Sequence, residues 1–177
     1  RVKGFIFDEV YYVDGARDLM KYGVEVTGNN PEFIVHPPVG KWLIGAGIAV
    51  FGDNEFGWRF ATALIGTLLI LVFARLVHVL FYSPLLTALG AALMALDGLL
   101  LVHSRTALLD LFLTFFVLIG ALLWHRDRHW WAGLAFGLAL GCKWSAIYFI
   151  VVIALIAVYR ILVNMDVRDS LKLIAKK

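Results

Sequence analysis

Only a few polar residues interrupt the long apolar runs of this chain, and those interruptions mark out its elements. A helix that crosses a bilayer needs about 20 mostly apolar residues, within a range of roughly 17–25. Phe56 to Tyr82 meets that length, Leu85 to Leu101 is shorter but nearly unbroken, and Thr106 to Trp124 follows. Trp131 to Leu162 is too long for one span and too short for two full ones. Lys143 interrupts it, so the pattern predicts one short helix to Gly141 and a second from Ser145 to Leu162. Val39 to Phe51 is apolar over about half a span. It follows His36-Pro37-Pro38, and Pro38 suits a helix start, where its missing N–H would go unused anyway. The pattern predicts a short helix near 39–51 lying in the membrane interface. A helix packed against the bundle is the alternative.

Composition makes the bilayer the expected solvent. Hydrophobic residues make up 62% of the 177 and charged residues 16%, whereas soluble domains carry about 25% charged residues. The mean hydropathy is +0.85. The expected fold class is therefore all-α, a multi-pass transmembrane helical bundle. A net charge of +3 without a basic stripe interleaved with aromatics argues against nucleic acid as a partner. The single cysteine, Cys142, excludes an internal disulfide, and no cluster has metal-ligand spacing. The chain begins at Arg1 with no signal-peptide pattern. We expect it to be the N-terminal part of a longer multi-span protein.

Charge sets the orientation. The connection His125-Arg126-Asp127-Arg128-His129 is short and basic, with Trp124, Trp130 and Trp131 around it like an interfacial belt. Arg160, Arg168, Lys172, Lys176 and Lys177 follow the last span, and Arg75 lies near the end of the first. Cytoplasmic loops are enriched in Lys and Arg, which puts these places, including residues 163–177, inside. Residues 8–55 then form an extracytoplasmic first loop, and residues 56–162 the transmembrane helices. That loop is acidic: eight carboxylates (Asp8, Glu9, Asp14, Asp18, Glu25, Glu32, Asp53, Glu55) face Arg17, Lys21 and Lys41. The same topology brings Arg59, Arg105, Asp110 and Lys143 to the outer ends of the spans. An ionisable group at the middle of a span costs about 2.5–3.5 kcal/mol on insertion scales. Several gathered on one face predict a polar cavity near the outer leaflet.

The candidate chemistry follows. Asp8 and Glu9 are adjacent, so on a helix or strand they point in different directions. One can face the cavity as a base or acceptor-binding group while the other pairs with a cation. A solvated loop-start cluster is the alternative. His36-Pro37-Pro38-Val39-Gly40-Lys41 puts an ammonium beside the exposed N–H groups of a helix start, a seat for phosphate. A rigid turn with an interfacial lysine is the other reading. Arg59 and Arg105 lie about one turn from the outer lip. A guanidinium there binds phosphate bidentately or snorkels to lipid headgroups. His103, Thr106 and Asp110 are spaced i, i+3, i+7 on one helix face, and Asp110 within an apolar run needs a partner from elsewhere, most simply a structural ion pair. Asp97, before Gly98, suits a turn cap. Lys143 breaks its run where Trp144 can stack on a sugar or join the belt. A lipid-linked phosphosugar as substrate fits these groups, with a solute transporter as the second class.

Taken together, "FDEVYYVDGARDLMKYG", "HPPVGKWLI", "FGWRFATALIGTL", "LDGLLLVHSRTALLDLFLTFF" and "GCKWSAIYF" resemble the protein O-mannosyltransferases of actinobacterial type, a branch of the GT-C membrane glycosyltransferases. The resemblance runs to about residue 160, with the motifs in family order. It implies inverting transfer of mannose from a polyprenyl or dolichyl phosphate to Ser or Thr hydroxyls of exported proteins, at the outer face of a bacterial plasma membrane. It implies Asp8 as the base, Glu9 as an orienting or binding group, and Arg59 as essential. Lys41, Arg105, Lys143 and His36 are assigned to the phosphate on physical grounds, with Asp110, His103 and Trp144 in support. The resemblance implies no required cofactor; a divalent cation is permitted rather than demanded. Membrane lipids are the surroundings. The related transferases that modify lipid A with aminoarabinose also carry an acidic first loop and are the nearest enzymatic alternative.

Overall fold

The computed structural model describes residues 4–27, 30–31 and 35–174. Among them are eight helices and one two-stranded ribbon: α1 (Glu9–Tyr22), β1 (Val26–Thr27), β2 (Asn30–Pro31), α2 (Val39–Phe51), α3 (Glu55–Phe81), α4 (Pro84–Leu96), α5 (Gly98–His103), α6 (Leu109–His125), α7 (His129–Cys142) and α8 (Ala146–Ile174). The strands pair antiparallel, Val26 opposite Pro31. Glu32, Lys176 and Lys177, used above for the charge pattern, lie outside the described residues. Two compact units are present, residues 1–144 and 145–177.

The apolar runs became helices, with three differences. First, α1 occupies 14 residues of the segment read as loop. Its buried residues Glu9, Tyr12, Val13 and Ala16 recur at helical spacing. Glu9 stands in the first turn and Lys21 in the last, which complements the helix dipole, and Gly23 ends the helix at φ 75. Phe7, at φ 52, turns the chain into it. Second, the run from Leu85 is broken at Asp97, whose carboxylate accepts a hydrogen bond from the Leu100 amide at 2.7 Å and caps α5. Third, α6 starts at Leu109, and residues 104–108 are not helical. His103, Thr106 and Asp110 therefore do not share one helix face. The break at Lys143 is present, with that residue extended after α7 (φ −158, ψ 139).

Within the first unit, α3 runs beside α2, α4 and α6, and α6 pairs with α7. The inner stripe of α3 is Gly57, Trp58, Thr62, Gly66 and Leu69. A side chain on Gly57 would collide with the Gly52 carbonyl, and one on Gly47 with the Gly57 carbonyl. That bareness lets α2 and α3 approach closely. A core of Leu69, Leu100, Leu111 and Phe115 joins α3, α5 and α6.

The outer surfaces are apolar as well. α3 and the Ala146–Val163 stretch of α8 are long and apolar enough to cross a membrane, with mean hydropathies of 2.4 and 2.7. In α3 only 17% of that stretch is buried within the protein. α4 buries no residue, and Leu85, Leu93 and Leu96 stand open. Apolar faces this broad are rare on soluble monomers.

Candidate functional site

The site is built where α1 begins. Glu9 is fully buried, and a buried carboxylate must be paired and hydrogen-bonded to be tolerated. Arg59, in the second turn of α3, donates from Nε to Glu9 Oε1 at 2.7 Å and from Nη2 to Oε2 at 2.6 Å. The Ile6 amide donates to Oε2 at 3.0 Å and the Ala107 amide to Oε1 at 2.9 Å. Arg59 Nη2 also donates to the Gly4 carbonyl at 2.7 Å. One carboxylate thus ties together the approach to α1, the start of α3 and the α5–α6 connection. Adjacent Asp8 points elsewhere, as its position one residue earlier requires. It caps no amide with its side chain and enters no ion pair among the described residues.

Around Asp8 the fold gathers residues from four places. Tyr12 follows it by one helical turn on the same face of α1. The Tyr12 phenol is pushed up to about 12 by burial first, then by the charges of Asp8 and Asp110 and by hydrogen bonding with Asp8. The His36 ring lies 5.8 Å from the Tyr12 ring, centroid to centroid, and its Nδ1 is buried with no hydrogen-bond partner among the described residues. Burial, then Lys143 and Lys41, hold His36 below the usual histidine value of 6.5, against the opposing pull of Asp110 and Asp8. Its imidazole is therefore neutral at pH 7. Asp110, in the first turn of α6, accepts from Lys143 Nζ at 2.8 Å. That is the partner from elsewhere that an acid in an apolar run demands.

The remaining predicted residues are distributed as follows. Lys41 donates to both Glu25 oxygens, at 2.6 and 2.5 Å, in a pair that is almost wholly buried. Its ammonium is thereby neutralised, and its influence on the site is the one felt by His36. Arg105 is exposed. With Ser104, Arg59, Glu55, Phe56, Phe60 and Ala63 it lines a cleft of about 410 Å³ between the start of α3 and the end of α5. This cleft has a cationic lip and an aromatic wall. His103 and Asp110 line a second pocket of about 300 Å³ with Asp97, Leu69 and Met94. Trp144 is exposed. Sequence reasoning missed Tyr12 and the partnership of Glu25 with Lys41. Tyr12 was findable had α1 been recognised, since i and i+4 share a face. Glu25 was not, because a contact across 16 residues depends on how α1 and α2 pack.

A helical, largely apolar protein with a charged cluster at one end of its helices is the class that fold and site define. The family model for dolichyl-phosphate-mannose-protein mannosyltransferase matches residues 35–174, and the chain belongs to that family. It is 40% identical to a polyprenol-phosphate-mannose–protein mannosyltransferase of Mycobacterium tuberculosis, over 82% of this chain and 34% of that protein. It is 33% identical to one so named in Corynebacterium glutamicum, over 87% of this chain and 36% of that protein. An undecaprenyl phosphate-alpha-4-amino-4-deoxy-L-arabinose arabinosyl transferase of Pseudomonas aeruginosa is 38% identical over 68% of this chain and 23% of its own length. The chain thus spans about a third of the mannosyltransferases it matches. No solved structure matches it.

Proposed function

We propose that the whole protein is a multi-pass GT-C glycosyltransferase of the bacterial plasma membrane. It transfers mannose, with inversion, from polyprenyl-phosphate-mannose to Ser or Thr hydroxyls of exported proteins on the extracytoplasmic face. The observation that carries this reading is Asp8: a carboxylate outside every ion pair, at the edge of a charged cluster, in a chain of the mannosyltransferase family. Asp8 takes the proton of the acceptor hydroxyl as its oxygen bonds to C1 of the mannose. The bond from C1 to the phosphate oxygen breaks on the opposite face, and polyprenyl phosphate leaves with that electron pair. The exposed guanidinium of Arg105, beside Arg59, supplies charge for the phosphate, and Phe56, Phe60 and Ala63 supply an apolar wall for the prenyl chain. Lys143 and neutral His36 border the sugar from the opposite side of Asp8.

The test uses full-length protein in membranes, with labelled mannose on polyprenyl phosphate and a Ser/Thr peptide. Asp8→Asn keeps the shape but cannot accept the proton, and the expected loss of turnover is at least about a hundredfold, the lower end for general-base removal. Turnover near that of the native protein would sink the assignment. The arabinosyl transferase relative favours a second reading, transfer of a different sugar from the same kind of lipid phosphate. Transfer from an aminoarabinose donor and none from the mannose donor would select it.

A further inference from the structure

We propose that Tyr12 is a positioning residue for the transfer: its hydroxyl orients the Asp8 carboxylate toward the acceptor, a role that rests on the reading of Asp8 as the base.

The geometry narrows the choice. Tyr12 lies one turn after Asp8, so the two side chains rise from the same face of α1. The phenol is 5% exposed, and its ring is braced against His36 at 5.8 Å. A buried phenol needs a partner for its O–H. Two carboxylates are near it, Asp8 and Asp110. Asp110 already receives Lys143 at 2.8 Å, and Glu9, the next carboxylate along the chain, is filled by Arg59 and two backbone amides. Asp8 is the acceptor without another claim, and hydrogen bonding between the two groups contributes to keeping the phenol protonated.

The consequence is chemical. A carboxylate on an exposed helix start samples several rotamers, and a base must sit within hydrogen-bond reach of the proton it abstracts. A misplacement of about 1 Å can reduce turnover by about a hundredfold. Tyr12 takes one lone pair of Asp8 and leaves the other oxygen for the substrate. It is a donor only, so it never competes with Asp8 for the acceptor proton. Because Tyr12 acts on the base and touches neither the phosphate cleft nor Arg105, it should affect the chemical step and not binding.

Tyr12→Phe removes one oxygen and keeps the ring against His36. Measured in the full-length protein with polyprenyl-phosphate-mannose and a Ser/Thr peptide, kcat is expected to fall at least about tenfold, the loss of one hydrogen bond to a charged group. KM for donor and peptide should stay within about twofold, the signature of an interaction acting only on the chemical step. Direct binding of the lipid donor checks that the variant is folded, and should be unchanged. Unchanged kcat, or a rise in both KM values with kcat retained, would overturn the proposal. Asp8→Asn is measured beside it. An inactive Asp8→Asn with a fully active Tyr12→Phe removes only the role of Tyr12, whereas an active Asp8→Asn removes the base itself.

Discussion

The N-terminal helices and the middle of the chain bury opposite things. Around α1, α2 and the start of α3, the interior holds charge: Glu9 with Arg59, and Lys41 with Glu25. Along α4 and the outer side of α3, leucines stand open to the surroundings. A protein in water does the reverse. Lipid accounts for the second region, since apolar side chains there need no cover. The first region needs its ion pairs for the same reason, because a charge beside hydrocarbon must carry its counter-charge with it. It also adds a ring of surface pairing, in which Arg17 binds Asp14 at 2.6 Å and Asp53 at 2.8 Å while lying over Phe5 and Trp58. This pairing ties α1 to the α2–α3 turn.

The contrast can be broken by substitution. Glu9→Ala leaves the Arg59 guanidinium and the Ile6 and Ala107 amides without their acceptor. Removing one partner of a buried pair destabilises by about 3–5 kcal/mol. A denaturation midpoint in detergent that matches the native protein would show that Arg59 finds water instead. Gly66→Ala tests the packing between the two regions. A Cβ there would meet Ser104 Cβ at 2.5 Å, and the displaced α5–α6 connection should cost about 1–3 kcal/mol, as overpacking does. Thermal unfolding of the same preparations reads it. Leu93→Ala, on the open face of α4, should change stability by less than about 0.5 kcal/mol. A larger loss would mean that protein, and not lipid, covers that leucine in the full-length molecule. Asp8→Asn and Tyr12→Phe should leave all these midpoints in place while turnover falls.

Most helices were legible in the pattern of apolar runs, because a helix with apolar surroundings is written as an uninterrupted stretch. The Val39–Phe51 helix and the break at Lys143 were legible for the local reasons of a proline start and a charge that stops the run. The unlabelled helix was α1. Its stretch is polar enough to pass for loop, and its buried face includes a glutamate, which only Arg59 makes acceptable. The site divides in the same way. Asp8, Glu9, Arg59, His36, Asp110 and Lys143 could be nominated from residue type and topology. Who holds whom could not.

By itself, then, the sequence determined the solvent, the order of the helices, the family and the list of ionisable residues near one end of the spans. Each of these depends on neighbours along the chain or on residue chemistry. Tertiary structure alone decided that Glu9 is filled by Arg59, that Lys41 is neutralised by Glu25, that Asp110 is held by Lys143 and that Tyr12 stands over Asp8. The physical reason is distance. An ion pair or an orienting hydrogen bond exists only within a few ångströms, and the first and third of these pairs join residues 50 and 33 positions apart.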